Sequence, residues 1–185
     1  MKLSRSEIKF TYQDYLLLPE EKQYELIDGD LHLVPAPRPY HQTVSGRIEW
    51  VLRGFVQERG LGEVFYAPCD VYFSRQDVVQ PDIFFIASDR LGIIKENYIQ
   101  GAPDLVIEIL SPSSSEKDRE LKRKLYALHG VREYWLVDPD AKTIEVLVRR
   151  EGDLRTAQTF VAEDWLTSPL LEGFRLSLQA VFKPR

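Results

Sequence analysis

A chain of 185 residues can bury a core without disulfides or metal staples, and 44% hydrophobic with 29% charged residues is the balance of a globular protein. The formal net charge of -5 counts against a broad non-specific nucleic-acid surface, which needs a basic domain. A local basic groove stays open, as does a metal site in which carboxylates and a divalent ion meet a phosphate. No uninterrupted apolar run is long enough for a bilayer, Met1 to Glu7 lack the apolar stretch of a signal peptide, and a single cysteine, Cys69, excludes an intramolecular disulfide. The reading is one domain over residues 1–185, cytoplasmic, with no membrane association and with Cys69 as a buried small hydrophobe.

In chain order, Thr11-Tyr12-Gln13-Asp14 has the form of a capping box with Asp for Glu, opening a short helix that Pro19 stops. Asp28-Gly29 between the apolar runs Tyr24–Ile27 and Leu31–Val34 predicts an N-terminal β-hairpin. Pro35, Pro37 and Pro39 then bar regular structure. From Tyr40 to Arg59, Val44, Ile48, Val51, Leu52, Phe55 and Val56 recur at helical spacing, and Gly60 ends the run. Residues 62–67 and 70–73 read as strands, followed by a turn at 74–77 into a strand over 78–86. Residues 87–102 lack a period and read as a loop with a helical turn at Asn97.

The run Leu105 to Leu110 reads as a buried strand. Serines 111 and 113–115 supply caps for a helix over 116–129 that packs Leu121, Leu125 and Leu128 and closes at Gly130. Glu133 to Val137 is a strand, so strand, helix and strand form a βαβ unit with parallel pairing. Residues 142–149 and 154–160 make a hairpin about Glu151-Gly152-Asp153, and 170–182 dock as a strand and short helix. Trp50, Trp135 and Trp165 are assigned to the core, and His32, His41 and His129 show no zinc-ligand spacing.

Two carboxylates stand out because each sits among apolar strand residues: Asp82 after Pro81, and Glu108 between Ile107 and Ile109. A carboxylate in a low-dielectric sheet costs several kcal/mol unless a cation meets it. If the two strands are neighbours, Asp82, Glu108, the backbone carbonyl of Ile109 and waters make an all-oxygen site suited to Mg²⁺ or Mn²⁺. Lys122 and Lys124, on opposite flanks of the leucine stripe, each reach over the sheet, and periodicity does not choose between them.

Pro81-Asp82, the run Pro103-Asp104-Leu105-Val106-Ile107-Glu108-Ile109-Leu110-Ser111-Pro112-Ser113, Asp118, Lys122, Tyr126-Ala127, Gly130-Val131 and Glu133-Tyr134-Trp135-Leu136-Val137-Asp138 together resemble the Uma-two family. Tyr24-Glu25-Leu26-Ile27-Asp28-Gly29, the proline-rich loop and His41 extend the resemblance over most of the chain. It implies a bacterial endonuclease of the PD-(D/E)XK superfamily. The fold would be α/β and restriction-endonuclease-like, a central mixed sheet flanked by helices with an N-terminal hairpin.

By position, the first acid of the superfamily falls on Asp82 and the second on Glu108. Leu110 stands where the superfamily has its lysine, and the family pattern moves that lysine to the helix, at Lys122. Glu25 and His41 match further family positions, as supporting residues or substrate contacts. The implied activity is Mg²⁺- or Mn²⁺-dependent hydrolysis of DNA, with homodimer formation open because related folds pair to cut two strands. The alternative is a non-catalytic binding or scaffold domain whose acids make salt bridges. A cavity on which both acids and Lys122 converge favours the first reading, and acids consumed by fixed arginines favour the second.

Overall fold

In the computed structural model, which describes residues 8–19, 21–111 and 117–184, one helical turn, α1 (Tyr12–Tyr15), precedes the hairpin of β1 (Gln23–Ile27) and β2 (Asp30–Val34). The Thr11 amide and hydroxyl both donate to Asp14, which pins the start of α1. Asp28 and Gly29 have φ of 50° and 73°, the paired left-handed conformations of a two-residue hairpin turn.

The next helix, α2 (Pro39–Glu58), starts on proline, whose missing N–H costs nothing at that position. It buries Val44, Ile48, Leu52 and Val56 and ends at Gly60, where φ is +62°. There follow β3 (Gly62–Tyr66), β4 (Val71–Ser74), β5 (Asp77–Val79), β6 (Ile83–Ala87), a 3₁₀ segment (Ser88–Ile93), β7 (Ile99–Gln100) and β8 (Leu105–Ile109). A π-helical segment (Lys117–Lys122) runs into α3 (Arg123–His129). The chain then forms β9 (Glu133–Asp138), β10 (Thr143–Arg150), β11 (Asp153–Phe160), β12 (Trp165–Thr167), β13 (Arg175–Ser177) and α4 (Leu178–Val181).

Six strands form the central mixed sheet in the order β11-β10-β9-β8-β6-β3, with the βαβ pair β8/β9 parallel and its other pairs antiparallel. One face packs on α2 and the C-terminal segment through Ile83, Phe85, Ile107, Trp135 and Val137. The opposite face, through Phe84, Val106, Tyr134 and Leu136, meets α3 and a second sheet. That sheet, β2-β1-β5-β4-β7, is built from the hairpin and the short middle strands. Helices flanking a mixed sheet with an N-terminal hairpin are what the sequence led one to expect; the second sheet is not.

Four local expectations are corrected. Residues 78–86 are two strands rather than one, because Pro81 cannot donate to a ladder, and β5 and β6 belong to different sheets. In 87–102 the helical turn falls at Ser88–Ile93 rather than at Asn97, and β7 follows. Leu128 is 75% exposed: the buried face of α3 runs through Leu125 and Tyr126, on the Lys122 side of the expected leucine stripe. Trp50 and Trp165 are 78% and 53% exposed, leaving Trp135 as the core tryptophan. The serine caps at 113–115 lie outside the described residues.

Candidate active site

Asp82 sits where the chain crosses from one sheet to the other, one residue before β6. The antiparallel register of β6 and β8 pairs Ile83 with Ile107, so one further step sets Asp82 opposite Glu108 on the same face. Proximity follows from register alone. The Ile109 N–H donates to Asp82 Oδ2 at 2.7 Å, and His41 Nε2 at the start of α2 lies 3.3 Å from that oxygen. Along a strand the N–H and C=O of one residue point to the same side, so the Ile109 carbonyl is also directed towards Asp82.

Glu108 is 3% exposed. Its Oε1 accepts from Lys122 Nζ at 2.8 Å and from the Tyr126 hydroxyl at 2.5 Å. Lys122, 5% exposed, is also 2.8 Å from Oε1 of Glu25, itself 2% exposed. Lys122 and Tyr126 are four residues apart, one at the end of the π segment and one in α3, and so share a face over the sheet. Lys124 is exposed, which settles the choice of inward lysine on Lys122. The Gln80 backbone N–H donates to Glu25 and ties β1 to the crossover.

Glu25, His41, Asp82, Glu108, Ile109 and Lys122 all line one cavity of about 390 Å³. The sequence had singled out each of them. It had not singled out Arg38, Gln42 and Gln80 on the cavity wall, nor the donor role of Tyr126. The spacing of Tyr126 from Lys122 was the available signal. The cavity also lies at the N-terminus of the 20-residue helix α2, where the helix dipole and Arg38 favour an anion.

Among the described residues no group of three or more His, Cys, Asp or Glu is arranged to hold a metal. A zinc site draws three or four ligands from such residues. Mg²⁺ and Mn²⁺ ask for less, one or two carboxylates plus oxygen from backbone and water. Three carboxylates line this cavity, against the buried ammonium of Lys122 and the rim guanidinium of Arg38. The oxygen donors of Asp82 and Glu108 are of the kind a hard divalent ion takes.

A neighbouring chain fold supports the architecture. The structure is similar to a "putative nuclease belonging to DUF820" from Anabaena variabilis, with a TM-score of 0.79 and 26% identity over 94% of this chain and 97% of that one. Both fold and likeness define the restriction-endonuclease-like class. The chain belongs to the Uma2 family, described as "Putative restriction endonuclease", whose pattern matches residues 12–179. It is thus nuclease-like in fold and family. No curated protein matches it.

Proposed function

We propose that the protein is a Mg²⁺- or Mn²⁺-dependent endonuclease that hydrolyses DNA phosphodiesters at Asp82, Glu108 and Lys122. The observation that carries the reading is the convergence of a lysine and three carboxylates on one open cavity at a helix N-terminus. The family description and the name of the similar Anabaena protein agree with it.

Asp82, Glu108 and the Ile109 carbonyl would hold the ion, which when bound lowers the pKa of water and offsets charge on the phosphate. His41 and the Ile109 N–H fix the orientation of Asp82. Tyr126 and Glu25 fix Glu108 and Lys122 in turn. Lys122 would orient the attacking water or neutralise charge as the water oxygen bonds to phosphorus and the ester P–O bond breaks. The first turn of α2 and Arg38 supply the anion-binding wall.

A second reading has one observation in its favour: Glu108 Oε1 already accepts from both Lys122 and Tyr126, as in a structural ion pair. Incubating supercoiled plasmid with the wild type, Asp82→Asn and Lys122→Met, with and without Mg²⁺, separates the two. Nicking by the wild type that needs Mg²⁺ and disappears in both variants is the expected result. An inert wild type in Mg²⁺ and in Mn²⁺ would leave the scaffold reading standing.

A further inference from the structure

At the end of the central sheet away from Glu108, three neighbouring strands carry a row of charges. Asp104 immediately precedes β8, and the parallel register that pairs Leu105 with Glu133 sets it beside Arg132 at the start of β9. The Arg149 N–H donates to the Arg132 carbonyl at 2.9 Å, which extends the β9/β10 ladder by one pair and places the two arginines opposite each other. Opposite residues of an antiparallel pair share a face. Here it is the face covered by α3, since Arg149 Nε donates to the Ala127 carbonyl of that helix at 3.3 Å. Strand rise of roughly 3.3 Å per residue puts the row about 13 Å along β8 from Glu108, and none of its members lines the candidate active site.

The row is short of negative charge. Arg90 Nη1, from the 3₁₀ segment, and Arg132 Nη1 meet the same oxygen, Asp104 Oδ1, at 2.9 Å and 3.3 Å. Asp104 Oδ2 accepts from the Ala87 N–H, and the Asp104 side chain is fully buried. Among the described residues Arg149 makes no ion pair, so one carboxylate stands against three guanidiniums. Like charges opposite each other on two strands repel, and Arg132 and Arg149 are such a pair. Their excess charge faces water: Arg149 is exposed, and the side chains of Arg132 and Arg90 are 59% and 33% exposed. Arg90 is fixed further by its Nη2 bond to the Ala102 carbonyl at 2.8 Å. Guanidinium forks match the oxygens of a phosphate, and forks already held on a buried acid lose little freedom when an anion binds.

We infer that Arg90, Arg132 and Arg149, gathered at the buried Asp104, form a binding site for a phosphate group, separate from the candidate active site. The phosphate belongs to a nucleic-acid backbone or to a small phosphate compound, and the recognition chemistry is the same for both. The inference does not depend on the nuclease reading.

The test uses the intact chain in EDTA, so that neither metal nor cleavage enters the readout. Inorganic phosphate is titrated against chloride at matched ionic strength while the arginine Nε–H signals are followed by NMR. The expected result is a saturable shift of the Arg90, Arg132 and Arg149 signals. In the double variant Arg132→Gln/Arg149→Gln, read from the Arg90 signal, the affinity should be weaker by about tenfold or more, the effect of losing charge-assisted hydrogen bonds. Both positions are exposed, so the fold should persist, as a thermal melt would show. Arg59→Gln, at an exposed arginine following α2, should bind phosphate as the wild type does. A short DNA duplex, titrated over a salt series, then separates the two sources. A slope of log K against log salt that is shallower by about 1–2 in the double variant assigns the phosphate to a nucleic-acid backbone. An unchanged slope beside weakened phosphate binding assigns it to a small phosphate compound. No saturable shift in the wild type, an affinity unchanged in the folded double variant, or an equal loss in Arg59→Gln would overturn the inference.

Discussion

Replacing Lys122 by Met removes the one buried ammonium of the site while keeping a stem of similar length. In the wild type this ammonium is 2.8 Å from Glu25 and from Glu108, both almost fully enclosed. Removing it strands two carboxylates that are only 2% and 3% exposed. Breaking a buried pair by deleting one partner costs about 3–5 kcal/mol. For a chain of this size each kcal/mol lowers the melting temperature by roughly 2–4 °C, so a fall of roughly 6–20 °C is expected in a thermal melt followed by circular dichroism. Adding Glu25→Gln should recover a large part of the loss, since one stranded charge is removed, and the non-additivity measures the coupling. A Lys122→Met protein that melts within about 2 °C of the wild type, a change of at most about 1 kcal/mol, would refute the buried triad.

Three further outcomes follow from other parts of the structure. Tyr126→Phe deletes a donor to a buried carboxylate and should cost about 1.5–3 kcal/mol in urea unfolding, with slower cleavage because Glu108 loses its orientation. Asp104, fully buried, accepts from the Ala87 N–H and from Arg90 and Arg132; Asp104→Ala should cost about 1–3 kcal/mol, chiefly by stranding the amide, since both arginines reach water. Glu133 accepts from Trp135, Ser168 and the Leu170 N–H, yet burial raises its pKa above the usual 4.5. A folded-state pKa above the unfolded one means that the contribution is present below pH 4.5 and is lost as pH rises through the folded value. The penalty of Glu133→Gln, from urea melts, should therefore shrink as pH rises from the unfolded to the folded pKa; a penalty that grows would contradict the assignment.

Much of the site was legible because its residues break local rules. A carboxylate within Val106-Ile107-Glu108-Ile109 has no place in a buried strand without a partner, and that anomaly marks out Glu108 from the sequence alone. The inward lysine was not legible from period, because Lys122 and Lys124 stand on opposite flanks of the leucine stripe and only the packing of α3, which buries Tyr126 and exposes Leu128, shows which flank meets the sheet. The second sheet escaped for a related reason: β5 and β7 have three and two residues, too short for alternation to register.

The most direct measurement of the central claim is calorimetric titration of Mg²⁺ and Mn²⁺ into the wild type, Asp82→Ala and Glu108→Ala, each shown to be folded. Saturable binding near one ion per chain in the wild type, lost in both variants, is the predicted result. Binding that persists in both variants, or a folded wild type that takes up neither ion, would contradict the assignment of Asp82 and Glu108 as the metal-holding pair.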